Sequence, residues 1–167
     1  MATPYTVTRT TTIDAPPERV HALVDDFHEW TKWSPWEDLD PALRRTYSGA
    51  DAGVGAVYAW EGNKKAGRGD MRITADTPEQ VDVALHFEKP FPSRSRIELA
   101  LTPAGDASTH VEWRMHGELS GVMKLFSVVK SMDSLVGPDF EKGLARLKAA
   151  TEEPGVDDSA DDRPAGQ

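Results

Sequence analysis

Few of the ionisable side chains in this sequence fall where they could do chemistry. General acid–base work needs a group held in a cleft, where desolvation moves its pKa. In the segments VDVALHFE (81–88), RSRIELALTP (94–103) and THVEWRMHGEL (109–119), apolar and polar residues alternate, which is the period of a half-buried strand. That parity sends His86, Glu88, Arg96, Glu98, Glu112, Arg114 and His116 to one face, where they read as a solvated surface with cross-strand ion pairs. Three catalytic candidates remain: Asp70, Tyr58 and Arg9. Arg9 shares parity with Val7, Thr11 and Ile13. It reads either as an inward cation facing a carboxylate of protein or ligand, or as an edge arginine reaching water along its stem. Tyr58 and Asp70 flank a hairpin that also gathers Glu61, Asn63 and Arg68, though a turn is polar in any case.

Other chemistries find no support. His86, His110 and His116 share the outer parity, but no Glu-x-x-His or His-x-x-x-His spacing accompanies them, so no metal site is expected. The chain has no cysteine, which excludes disulfides, thiolate nucleophiles, zinc–thiolate sites and iron–sulfur clusters. GADAGVG (49–55) is a glycine-rich turn without the Gly-Lys-Ser/Thr of a phosphate loop. No serine–histidine–aspartate order is arguable. No cofactor is expected.

Aromatic residues are the stronger signal. Trp30, Trp33 and Trp36 fall within seven residues of WTKWSPW, more aromatic area than a loop carries unless it is buried. They either plug one end of a sheet or line the mouth of a ligand site. Tyr58 and Trp60 share one face of AVYAWEG (56–62), Met71 and Ile73 one face of the next segment, and Val81, Val83, Leu85 and Phe87 one face of the one after.

The elements that must position these residues begin with a strand over 4–14, rich in Thr, Val, Tyr and Ile. Asp14-Ala-Pro-Pro-Glu then reads as a helix entry, with the aspartate near the cap. The helix presents Val20, Leu23, Val24 and Phe27 on one side, and a second short helix follows before Ser34-Pro35. Short strands and hairpins continue from Leu43 to about residue 119. The final stretch, Gly121 to Ala150, has Leu125, Val129, Met132, Val136, Phe140, Leu144 and Leu147 at steps of three or four, one face of a long helix. Pro138 predicts a kink or restart near Val136–Gly137. Gly143, unfavourable in a helix by roughly 1 kcal/mol, predicts a close approach to the sheet. A sheet with one apolar face needs one cover, and the long helix supplies it.

At 167 residues the chain can bury a substantial core. Its net charge of −9 argues against nucleic acid and against an anionic membrane surface. Residues 151–167 are read as a disordered acidic tail, either solubilising or a docking segment. No stretch reaches membrane-spanning length and the first residues lack a signal-peptide pattern, so no stable membrane insertion and a cytoplasmic location are expected. The oligomeric state is not legible.

The phrases Ile13-Asp14-Ala15-Pro16-Pro17-Glu18-Arg19-Val20, Trp30 to Glu37, Tyr58-Ala59-Trp60-Glu61-Gly62-Asn63 and Pro138-Asp139-Phe140-Glu141-Lys142-Gly143-Leu144 together carry a resemblance. The chain resembles the START-like (SRPBCC) superfamily, in its polyketide cyclase/dehydrase and lipid-transport branch. The resemblance implies an α+β helix-grip fold: a curved antiparallel sheet wrapped around a long C-terminal helix, with two short helices after the first strand. It implies one ligand-binding domain over residues 1–150, with a cavity between sheet and helix for a hydrophobic small molecule. Trp33, Trp36, Tyr58, Trp60, Met71, Phe87, Leu99, Trp113, Met115, Leu125 and Met132 are the expected lining. Binding or transport of a lipid-like or aromatic polyketide ligand is the leading expectation. A cyclase- or dehydratase-like enzyme, and a partner-binding module whose cavity is filled by its own side chains, are the alternatives. No catalytic residue carries over from the resemblance, since the matching phrases are structural.

Overall fold

The alternation along residues 81–119 becomes three neighbouring antiparallel strands whose registers keep the apolar side chains on one face. Val83 pairs with Ile97 and Ile97 with Met115, while Val81 pairs with Leu99 and Leu99 with Trp113. The computed structural model describes residues 3–37, 40–89, 92–119 and 132–152. Its elements are β1 (Thr3–Ile13), α1 (Pro17–Val24), α2 (Phe27–Trp30), β2 (Arg44–Gly49), β3 (Ala56–Glu61), β4 (Arg68–Thr77), β5 (Gln80–Lys89), β6 (Ser93–Pro103), β7 (Thr109–Leu119) and α3 (Met132–Glu152). The seven strands form one sheet in the order β1-β7-β6-β5-β4-β3-β2, antiparallel throughout. Strands β2 to β7 are a plain meander. The first strand instead pairs with the last along its whole length, from Thr3 opposite Leu119 to Ile13 opposite Thr109.

This is the α+β helix-grip arrangement expected from the sequence, with a curved sheet closed over α3. Phe140, Leu144 and Leu147 on α3 are at most 2 % exposed, as are Val7, Ile97, Leu99, Leu101, Val111 and Trp113 on the sheet. Gly143 makes the close approach possible: a Cβ there would fall 2.9 Å from both the Trp113 ring and Pro35. Polar contacts fix the helix along β1. Arg9 Nε donates to Glu141 Oε2 at 2.9 Å, and Lys148 Nζ to the Thr12 carbonyl at 2.8 Å.

Three local expectations change. The helix runs through Pro138 without the predicted restart; the turns that follow the proline are held by the buried Phe140, Leu144 and Leu147, and that packing outweighs one missing backbone bond. Helix α3 also continues to Glu152, with Thr151 1 % exposed and its hydroxyl donating to the Leu147 carbonyl at 2.7 Å. The remainder of the expected acidic tail, and the helix expected over 121–131, lie outside the described residues. Asp14 does not cap α1. The N-cap is Pro16, with Pro17 at the first helical position, and a proline has no N–H for a cap to satisfy. Asp14 instead accepts from Ser108 Oγ at 3.1 Å. Among the described residues no helix is long and apolar enough to cross a membrane.

Candidate functional site

Strand parity on β3, β4 and β5 aims Tyr58, Met71 and Leu85 at the same space, all of them at most 4 % exposed. Trp60 and Phe87, near the ends of their strands, are half-buried beside them. These side chains wall a cavity of about 300 Å³. Ser34, Trp36 and Glu37 come in from the segment after α2, Leu43 from just before β2, Lys65 and Ala66 from the β3–β4 turn, and Asp139 from α3. The site therefore draws on the sheet, the loop and the helix together.

Its aromatic wall is ordered by ring contacts. Tyr58 and Trp60 lie 6.0 Å apart at 23°, and Phe87 meets Trp60 edge-on at 5.3 Å and 82°. Trp60 sits across from Gly69, where a Cβ would fall 2.8 Å from the indole. The glycine leaves the room that the ring fills. The turn that roofs this corner is set by Asn63, whose Oδ1 accepts from the backbone N–H groups of Lys65 and Ala66 at 2.9 and 3.0 Å.

Among the described residues, the polar groups at the cavity are few and already organised. Tyr58 O–H donates to Glu37 Oε2 at 3.0 Å, and Arg45 donates to Glu37 Oε1 at 2.7 Å. Glu37 is only 11 % exposed at its side chain. Burial, and then the negative charge of Glu37, hold the Tyr58 phenol well above the ordinary tyrosine range. Tyr58 is thus a neutral hydrogen-bond donor at any physiological pH. Trp36 Nε1 donates to Asp139 Oδ2 at 3.3 Å, and Trp60 Nε1 to the Ala66 carbonyl at 2.9 Å. Chemically, the cavity offers apolar burial, aromatic faces, and two carboxylates at its edge.

Of the expected lining, Trp36, Tyr58, Trp60, Met71 and Phe87 stand around this cavity. Trp33, Leu99, Trp113 and Met115 are packed in the core away from it. The side chains of Leu125 and Met132 lie outside the described residues. The three clustered tryptophans divide: Trp30 and Trp33 are 0–1 % exposed and donate to the Val24 and Leu23 carbonyls at 2.9 and 2.8 Å, plugging the space beneath α1, whereas Trp36 reaches the cavity. Among the catalytic candidates, only Tyr58 is at the cavity. Asp70 is turned to the outer face, because Gly69 and Met71 on either side point inward; there it lies 3.4 Å from His86 Nδ1. Arg9 is on the inner face but engaged with Glu141.

Glu37 and Asp139 were not singled out by parity. Glu37 lies in an irregular segment to which parity does not apply, although its place directly after Trp36 is a signal that it shares the tryptophan's environment. Asp139 follows Pro138 in the helix and reads there as a first-turn acid. Elsewhere, His21, Asp25 and Asp76 bring ligand-type atoms within 4.8 Å of one another, as do Asp70, His86 and Glu88. In the first group His21 Nε2 lies 2.6 Å from Asp76 Oδ1, an imidazole–carboxylate contact that ties α1 to β4.

The sequence model of a family described as polyketide cyclase / dehydrase and lipid transport matches residues 4–152. A search of curated proteins finds no match. Among solved structures, a Rhizobium loti protein is 23 % identical with a TM-score of 0.60, covering 89 % of this chain and 98 % of its own. A Staphylococcus aureus protein of unknown function is 11 % identical with a TM-score of 0.70, covering 92 % and 96 %. Norcoclaurine synthase from Thalictrum flavum is 10 % identical with a TM-score of 0.63, covering 93 % and 88 %. At these identities the likeness is one of fold.

Proposed function

The chain belongs to the polyketide cyclase / dehydrase and lipid transport family, and from that premise we propose that it binds a hydrophobic small molecule, aromatic or lipid-like, in the cavity between sheet and C-terminal helix. The observation that carries this reading is the aromatic chamber of about 300 Å³ walled by Trp36, Tyr58, Trp60 and Phe87. That volume is at the lower end of small-molecule pockets, roughly 300 to 1,000 Å³, so the ligand is compact, or only its apolar end is enclosed. Burial of its apolar surface supplies the affinity, and Glu37 and Asp139 orient it.

The test is displacement of a neutral fluorescent probe, N-phenyl-1-naphthylamine, combined with native mass spectrometry of protein purified from its own host. Trp60→Ala and Phe87→Ala should weaken probe binding about tenfold, while Glu112→Ala on the outer face leaves it unchanged. Leu85→Trp, which fills the chamber, should abolish it. Equal effects from all four substitutions would sink the cavity assignment.

A second reading is a cyclase- or dehydratase-like enzyme, favoured by one observation: a carboxylate, Glu37, beside a phenol, Tyr58, at the chamber wall. In it, Glu37 takes a proton next to a carbonyl and Tyr58 donates a hydrogen bond to the oxygen that gains charge, with the chamber holding the chain in a reactive pose. Glu37→Gln would then lower turnover of a polyketone far more than it lowers probe affinity. Parallel losses would remove Glu37 from this role.

A further inference from the structure

We propose that the chamber selects a compact aromatic or apolar molecule carrying a protonated amine. The proposal rests on the ligand-binding reading above and assigns the chemical class of the ligand.

Among the described residues, three donors in the chamber wall have fixed hydrogens or a strongly held proton, and all three are already used within the wall. Trp36 Nε1 goes to Asp139, Trp60 Nε1 to the Ala66 carbonyl, and Tyr58 O–H to Glu37. An incoming acceptor must break one of these bonds, or turn to Lys65 at the mouth or to Ser34, whose hydroxyl takes a long 3.4 Å bond from the Trp36 N–H. Acceptor capacity is the reverse. Each carboxylate oxygen can accept more than one hydrogen bond. Asp139 is engaged through Oδ2 by an uncharged indole N–H, a weak match for a carboxylate. Glu37 adds a second carboxylate to the same lining. The same lining includes Trp36, Trp60 and Phe87, aromatic rings whose quadrupoles attract a cation.

Among the described residues, the cations nearby are peripheral. Arg45 bonds Glu37 and is not part of the chamber lining, and Lys65, though in the lining, is itself an exposed residue of the Asn63–Ala66 turn. An ammonium group on the end of an apolar body therefore finds carboxylate acceptors and aromatic rings in the lining. A carboxylate on the same body finds two like charges and one cation, Lys65, at the mouth.

The experiment compares three ligands of one shape: 2-phenylethylamine, 2-phenylethanol and phenylacetate, each displacing N-phenyl-1-naphthylamine from the full chain at pH 7. The amine should bind about tenfold more tightly than the alcohol, and the acid more weakly than either. Asp139→Asn should bring the amine-to-alcohol ratio to near parity, and Glu37→Gln, read by the same ratio, is the second variant should Asp139→Asn fail to fold. Glu112→Gln is the outer-face control. Phenylacetate binding as well as the amine, with that binding lost in Lys65→Ala, would overturn the proposal while leaving the chamber as a ligand site. Equal affinities for all three ligands would also overturn it. If none of the three, nor the probe itself, binds, the ligand-binding reading falls and this proposal with it.

Discussion

Trp113 of β7 and Phe140 of α3 lie face to face, their ring centroids 4.4 Å apart and their planes within 8° of parallel. Both are fully buried. The stack joins sheet to helix, and Trp36 touches both rings edge-on, at 5.9 and 6.3 Å. The wall of the chamber is thereby mechanically continuous with the grip of the sheet on the helix.

Phe140→Ala should therefore cost about 3–5 kcal/mol of stability, the range for deleting a buried aromatic ring. Urea denaturation of the two proteins measures it. A loss below about 1 kcal/mol would mean that the site collapses around the deletion and that the stack is not the main tie.

Glu98 sets the acid limit of the outer face. Burial alone would raise its carboxyl, but hydrogen bonds from Arg114 at 2.8 Å and His116 at 3.0 Å outweigh it, and the group is brought down to about 2 from an ordinary 4.5. For a carboxyl lowered on folding, the stabilisation is present above the unfolded value and is lost as pH falls through the folded one. Stability should thus decline between about pH 4.5 and pH 2 as this group is protonated, by an amount that screening at the outer face reduces. Thermal melts across that window should show a shallower decline in Glu98→Gln, which starts less stable at pH 7. An unaltered acid limb in the variant would move the effect to other carboxyls.

All three tyrosines are held above their ordinary 10.0, and burial is the leading cause for each. At Tyr47 and Tyr58 the charge of Glu37 adds to it. A raised phenol favours the folded state below the ordinary value, and that advantage is lost as pH rises beyond it. Phenolate absorbance should accordingly appear together with alkaline unfolding, monitored by circular dichroism, instead of at pH 10 in the folded protein. A separate folded-state titration near pH 10 would contradict the burial of Tyr58.

Most of the fold was legible because period-two alternation survives wherever a strand is long and one face is covered. Strands β5, β6 and β7 are such cases, and Leu99 and Trp113 pair as their parity requires. Gly143 was legible for a related reason: a helix position that gives up propensity must gain contact, here with Trp113 and Pro35. Legibility failed where geometry comes from tertiary packing. Pro138 left the helix unbroken because the buried Phe140, Leu144 and Leu147 hold the turns that follow it. Asp70 was read as a candidate from its neighbourhood in sequence, whereas its own parity turns it outward beside His86. Glu37 escaped because it lies in an irregular segment, and only the three-dimensional path of that segment brings it to Tyr58.

The pairing of β1 with β7 has a consequence for the growing chain. Strands β2 to β6 can zip as hairpins while they emerge during synthesis, since each neighbour follows within a short turn. Strand β1 cannot: the partner of Thr3 is Leu119, so the first strand leaves the ribosome long before the surface it needs. For that interval its apolar face, Val7 and Ile13 among it, and its free backbone edge are open to capture by another nascent chain. Its outer positions are mostly threonine, Thr6, Thr8, Thr10 and Thr12, which leaves only one side of the waiting strand sticky. Docking of β1 is the most non-local pairing of the sheet and should be its slow step, and a chaperone that shelters an extended segment would act there.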